Sequence, residues 1–315
     1  MSGIASYLVF FACVVLILSI VTLGLNLQWG FTGLFNAGVV GFYAIGGYTH
    51  AILTAAPQPG LMGNFGLHWS LGLLGAMVAT AAAAWLIGVI TVRLRGDYLA
   101  ISSFGIAVSI QLVTLNWEAL TGGPNGLTRL GRPLACWFDT PAGFNLGYLA
   151  LLATIVLLVY IGLERILQSP WGRVLRAIRE DELAAVALGK NARRFRLEAF
   201  VIGSTLMGLA GALYVGFIGF VSPFDFLPIL TFQVWAMLIV GGSGNNRGAL
   251  LGALVVWGLW TASGIAVTKL LPPSQAAQGA AVQVILIGVA LVSMLLLRPR
   301  GLIGEQAVVS RHANE

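Results

Sequence analysis

The chain has 315 residues; 58% are hydrophobic, only 9% are charged, and its mean hydropathy is +0.91. A soluble domain carries about 25% charged residues, so this composition excludes an ordinary soluble enzyme, a disordered chain and a disulfide-bonded secreted scaffold. The 17 Lys+Arg against 11 Asp+Glu give +6, which in so apolar a chain points to basic loops at a membrane face and not to nucleic acid.

Crossing ~30 Å of hydrocarbon takes about 20 apolar helical residues. The apolar runs here are continuous, not alternating, which argues for helices over a β-barrel. They lie at 4–25, 34–56, 71–91, 98–116, 147–163, 197–219, 229–242, 249–268 and 281–297. The expected fold is therefore an all-α polytopic integral membrane protein, one domain over 1–315, with about nine transmembrane helices. Eight to ten are allowed, because the glycine-rich stretch 26–56 has the composition of a broken or re-entrant helix. No basic region precedes 4–25 and no A-x-A-like site follows it, which argues against a cleaved signal peptide.

With nine spans, 14 basic residues fall in one set of connections: Arg93, Arg95, Arg247, Arg298, Arg300, Arg311 and eight more between Arg165 and Arg196. The other set holds Arg129, Arg132 and Lys269. The richer side is expected to be cytoplasmic, with the N-terminus outside and the C-terminus inside; an extra turn near 26–45 would reverse the N-terminus alone.

Chemistry-bearing residues are sparse. Asp97 and Glu118 lie at span ends, and Asp225 lies in the turn 221–225. His50, His68 and His312 are too scattered for a metal site or a catalytic pair, and His50 is expected to be a hydrogen-bonded structural residue. Cys13 and Cys136 have no metal or redox spacing. The clusters Gly241-Gly242-Ser243-Gly244 and Gly189-Lys190 both fail the phosphate-binding pattern G-x-x-x-x-G-K-[ST]. No cofactor is expected on this chain, and any energy source must sit on another subunit.

The one sizeable polar insertion, about 164–196, holds eight of the basic residues. Ser169 is a candidate N-cap with Pro170 at the first helical position, and Trp171, Val174, Leu175 and Ile178 make an apolar face against Arg173, Arg176 and Arg179. Asp181 then caps a second short helix, with Glu182 in its first turn and Gly189 as a left-handed stop. The reading is a compact knob. An amphipathic segment held by anionic lipid is one use for it. The acidic run Glu180-Asp181-Glu182 would be repelled there and suits a protein-docking surface instead.

Glu182 through Gly189 resembles the EAA loop of ABC-importer permeases: an acidic residue, small residues and a Gly seven positions on. The stretch Ser169 to Glu180 is similar to the branched-chain amino acid permease family of LivM type. So are Arg93-Leu94-Arg95-Gly96-Asp97-Tyr98-Leu99-Ala100-Ile101, Leu120 to Leu127, Gly208 to Tyr214 and Val240 to Gly244. The match covers most of 20–300 in family order. One stretch departs: members often read G-x-x-S-L-G-H-A-A-F, whereas Gly33 to Phe42 here lacks the histidine.

The resemblance implies a non-catalytic permease in a bacterial inner membrane, importing branched-chain or related amino acids; urea, short amides or other amino acids are the alternative within the family. It implies as partners a second, LivH-like permease, two cytoplasmic ABC ATPases that bind ATP and Mg, a periplasmic binding protein and membrane lipid. Arg173, Arg176, Arg179, Glu180, Asp181, Glu182, Ala184, Ala185 and Gly189 would then couple to the ATPases. A stand-alone carrier or channel is the rival class, disfavoured because no span holds an ionisable pair.

Uncharged polar residues at span boundaries are the candidate path-liners for a zwitterion: Asn26, Gln28, Thr32, Asn36 and Thr49. The same groups could instead satisfy the backbone of a broken helix. Gly203, Gly208, Gly211, Ala212 and the pair Gly248 and Gly252 are read as close helix packing.

Overall fold

The computed structural model describes residues 3–58, 60–94, 96–133, 140–270, 276–298 and 300–305. Cys136, Arg95, Arg311 and His312 lie outside these residues. Among the described residues the protein is helical, with a lone antiparallel bridge between Leu127 and Val221.

Helix α1 (Gly3–Leu25) continues as a π-turn over Asn26–Gly30 and stops inside the bundle. Gly33 adopts φ +74°, a left-handed conformation open to glycine, and the chain runs non-helically to Gly38. Helix α2 (Val39–Thr54) then starts, so the glycine-rich stretch is a broken helix, as its composition suggested. The other long elements are α3 (Trp69–Thr91), α4 (Asp97–Asn116), α6 (Pro141–Gln168), α9 (Ala192–Ile218), α10 (Ile229–Gly241), α11 (Asn246–Leu270) and α12 (Ala276–Leu297). Short α5 (Glu118–Thr121), α7 (Pro170–Glu180) and α8 (Glu182–Ala187) lie between them.

Among the described residues six helices, not nine, are long and apolar enough to span a membrane: Gly3–Gly30, Trp69–Thr91, Asp97–Asn116, Pro141–Gln168, Ala192–Ile218 and Asn246–Val267. Val39–Thr54, Ile229–Gly241 and Ala281–Met294 are apolar but shorter. Nine full-length crossings are therefore not confirmed: α2 has 16 residues because it starts only after the break and α10 has 13, both short of the ~20 a crossing takes, whereas helix α12 itself extends over 22 residues.

Buried α9 and α1 form the centre. Helix α2 packs on α9, α3 and α4; α1 packs on α9, α6 and α11; α10 packs on α11. In lipid, apolar surface gives no drive for helices to associate, so small residues that let backbones touch carry the packing. A Cβ at Gly46 would strike the backbone of Gly208, and one at Gly203 would lie 2.6 Å from the carbonyl of Gly24. Gly241 meets Gly248 and Gly252 in the same way. The packing role read for these glycines holds.

One end of the bundle gathers Gly30, α7, the α10–α11 turn and residues 300–305. The opposite end gathers Leu127, Val221 and the 3-10 turn Pro223–Phe226, and Phe10 of α1 reaches Phe217 near there. The described members of the basic set all fall at the first end, and Arg129, Arg132 and Lys269 fall at the other.

Candidate functional site

The polar insertion is a folded knob with its own small core. Pro170 opens α7, whose Leu175 and Ile178 are buried; Ile178 packs with Ala185 and Ala192, flanked by Val174 and Phe195. Ser169 sits at the N-cap position, but its hydroxyl donates to the Ile166 carbonyl at 2.6 Å and caps no amide of α7. The expected cap therefore serves the end of α6 instead. Asp181 does cap α8, accepting the Ala184 N–H at 3.0 Å. Gly189 ends that turn at φ +76°, and the Lys190 N–H returns to the Ala185 carbonyl at 3.1 Å. Glu182 pairs with Arg196 at 3.0 Å, and Glu198 takes the Trp171 indole N–H and the Arg194 guanidinium, each at 2.8 Å.

Apart from Glu182, half-buried against Arg196, the predicted coupling residues divide into three groups. Arg173, Glu180, Asp181, Ala184 and Gly189 are exposed; Ala185 is buried in the small core. Arg176 and Arg179 turn inward. Arg176 donates to the Leu167 carbonyl at 3.3 Å, and Arg179 donates to the Gly30 carbonyl and pairs with Glu305 at 2.9 Å. Sequence reasoning passed over the exposed large apolar residues of α8 and its end, Leu183, Val186 and Leu188, at 73%, 51% and 79% exposure. No local signal set them apart, because only the structure shows that Ala185 is the residue α8 buries. An apolar tip on an otherwise charged knob is a surface suited to another protein.

Buried side chains and backbone groups form a hydrogen-bond network around the break in the helix. Thr32 Oγ1 donates to the Leu27 carbonyl at 2.9 Å; Gln28 Nε2 reaches the Phe200 carbonyl at 2.8 Å and Ser204 Oγ at 3.0 Å. Asn36 Nδ2 donates to Gln28 Oε1 at 2.8 Å, its Oδ1 accepts the Gly38 N–H at 2.7 Å, and its backbone carbonyl accepts the Trp235 indole N–H at 3.0 Å. Asn26 accepts the Gly244 N–H and donates to Asn246, both at 2.9 Å, and Asn246 donates to Glu164 at 3.1 Å. Asn26, Gln28, Thr32 and Asn36 are thus brought together, all fully buried. Thr49 stands apart, partly exposed on α2 beside a cavity of about 390 Å³ that Tyr48, Ser109, Thr114, Trp117 and Thr121 also line.

His50 is fully buried beside Gly72, and neither ring nitrogen has a hydrogen-bond partner among the described residues. The ring packs against Gly72, where an added Cβ would lie 2.6 Å from Nδ1. Asp225 accepts the Ser222 N–H at 2.9 Å in a capping box. Burial raises its carboxyl above the usual carboxylate range, against the lowering effect of that hydrogen bond. Among the described residues no three His, Cys, Asp or Glu side chains cluster as a metal site.

Comparison with known proteins bears on this arrangement. The chain is 35% identical over 267 residues to the high-affinity branched-chain amino acid transport system permease protein LivM of Escherichia coli (strain K12), covering 78% of this chain and 61% of that one. It is 29% identical over 263 residues to a probable branched-chain amino acid transport permease protein LivM of Methanocaldococcus jannaschii, covering 75% of each. It is also 25% identical over 247 residues to the permease protein LivH of Escherichia coli (strain K12), covering 76% of this chain and 79% of that one. The chain thus spans about three fifths of the length of the LivM protein from Escherichia coli. No solved structure matches it. Residues 7–295 match the family model described as branched-chain amino acid transport system / permease component, and the chain belongs to that family.

Proposed function

We propose that this chain is the permease subunit of an ATP-driven importer, passing branched-chain or related hydrophobic amino acids that a periplasmic binding protein delivers. It works beside a second, LivH-like permease and two cytoplasmic ABC ATPases in a bacterial inner membrane. ATP and Mg belong to the ATPases, and this chain is non-catalytic. It is one transmembrane domain that threads the membrane nine times, counting the three shorter helices, with Gly3 outside and the insertion at 164–196 in the cytoplasm. Lipid covers the exposed apolar faces of α3, α4 and α6.

The observation that carries this reading is the apolar tip of α8 on a knob wired into the broken helix. ATP-driven closure of the ATPases presses on the tip, with Arg173, Glu180, Asp181, Ala184 and Gly189 around it, while Glu182 and Ala185 hold its shape. The bundle then switches between openings as packed units, since interfaces are bistable and not continuously deformable. Thr49 lines the path, and Asn26, Gln28, Thr32 and Asn36 shape the break that flanks it.

The test is uptake by the reconstituted complex with its binding protein. ATP-dependent leucine accumulation supports the reading. Equal accumulation with and without ATP, or transport by the isolated chain down an ion gradient, overturns it.

A further inference from the structure

A helix that stops inside a bundle leaves carbonyl groups that water cannot reach, and each needs a donor. At the end of α1 the donors can be traced one by one. Asn26 O accepts from Phe31 N at 3.1 Å, Leu27 O from Thr32 Oγ1 at 2.9 Å, Gln28 O from Leu34 N at 2.8 Å and Trp29 O from Gly33 N at 2.9 Å. The fifth, Gly30 O, accepts from Arg179, 149 positions away in the knob.

Arg179 is held on every side. Its second nitrogen pairs with Glu305 at 2.9 Å, and it is largely buried at 23% exposure. A Cβ at Gly33 would lie 3.3 Å from its Cγ, and one at Gly244 would lie 3.3 Å from its Nη1 and 3.0 Å from Glu305 Oε2. Glu305 belongs to a strap that hydrogen-bonds the end of α10, through Leu302 N to Val240 O at 2.8 Å and Ile303 N to Gly241 O at 3.0 Å. The knob, the end of the broken helix, the α10–α11 turn and the strap therefore meet at one guanidinium.

We propose that Arg179 is a positioning residue that sets the shape of the 31–38 break according to the position of α7. While α7 is seated, Arg179 caps Gly30 and the break is locked. Displacement of α7 withdraws the cap and exposes a buried carbonyl, so the break must rearrange to satisfy it. The proposal rests on the reading of the knob as the part that ATPases press, and it assigns the residue that carries the push inward. Lysine is a poor substitute, since a compact ammonium lacks the planar fork that reaches Gly30 and Glu305 together.

The experiment uses the whole complex in nanodiscs, with Arg179→Ala, Arg179→Lys and Glu305→Gln. Three quantities are read: ATPase retained on purification, leucine imported per ATP hydrolysed, and hydrogen exchange of 31–38 with and without trapped nucleotide. The expected result is normal ATPase retention in all variants, uptake per ATP lowered at least tenfold in Arg179→Ala and less in Arg179→Lys and Glu305→Gln. Nucleotide should change exchange of 31–38 in the wild type and not in Arg179→Ala. A wild-type ratio and nucleotide response in Arg179→Ala overturns this proposal alone. A wild-type chain that retains no ATPase overturns the importer reading on which it stands. If Arg179→Ala fails to insert, the two milder variants decide: coupling equal to wild type in both overturns the proposal.

Discussion

Glu182 meets Arg196 at 3.0 Å with both side chains largely buried, so the acid that opens α8 faces the base of α9 and not solvent. This pair fixes the angle at which the knob projects. Its effect on docking is through shape.

Glu182→Lys would set two cations against each other at this contact and swing α8 away from α9. ATP-dependent uptake by the assembled complex should fall at least tenfold, with normal amounts of chain in the membrane. Glu182→Gln keeps a hydrogen bond to Arg196 and should retain most activity. Uptake assays beside membrane immunoblots check both, and full activity in Glu182→Lys would remove the pair from any role in coupling.

Leu183 and Leu188 are the two most exposed large apolar residues of the α8 tip. Leu183→Asp should leave thermal stability within about 0.5 kcal/mol of wild type, as surface changes do. ATPase retention should weaken by ~10-fold or more, about 1.4 kcal/mol. Co-purification measured against the melting temperature separates the two effects. Unchanged retention would mean that the tip docks nothing.

Gly46 has no room for a side chain because the backbone of Gly208 lies against it, whereas a Cβ added to Gly105 on α4 would meet nothing within 4 Å. Gly46→Leu should cost more than about 3 kcal/mol by overpacking. Gly105→Leu should be neutral or slightly stabilising, since leucine favours helix more than glycine does. Fluorescence-detected size exclusion after heating reads the difference, and equal melting in the two variants would refute the backbone-contact account.

Asn36 joins Gln28 to the start of α2. Asn36→Ala leaves Gln28 Oε1 without its donor and the Gly38 N–H without its acceptor, at a cost of about 1–3 kcal/mol for each unmet group. Asn36→Asp restores the acceptor but adds a buried charge, and should melt lower still. Thermal melting in detergent tests the order wild type, alanine, aspartate.

Local signals made part of this site legible in the sequence. Asp181 followed by Glu182, and Gly189 seven positions on, mark α8 by chemistry confined to one turn, and both ends fall where those residues stand. The described members of the basic set gather at one end of the bundle, as their spacing between apolar runs implied. Arg179 was legible only as one of three arginines on a helix face. Its partners, Gly30 and Glu305, lie 149 and 126 positions away, and no periodicity connects them. Leu183, Val186 and Leu188 read as ordinary helix residues until α8 was seen to bury only Ala185. The glycine-rich composition of 26–56 signals a break, but where α1 stops is tertiary: Arg179 donates to the Gly30 carbonyl and Asn36 accepts the Gly38 N–H, contacts that no local pattern shows.

The greasy end of α8 has a consequence for how much of this chain a cell can keep. If the proposed ATPases cover this tip, copies made in excess of them would leave Leu183, Val186 and Leu188 uncovered, and chaperones and proteases bind such residues. Turnover of the orphan would then be faster than that of the assembled copy, and steady-state abundance would follow the supply of whatever sheathes that tip.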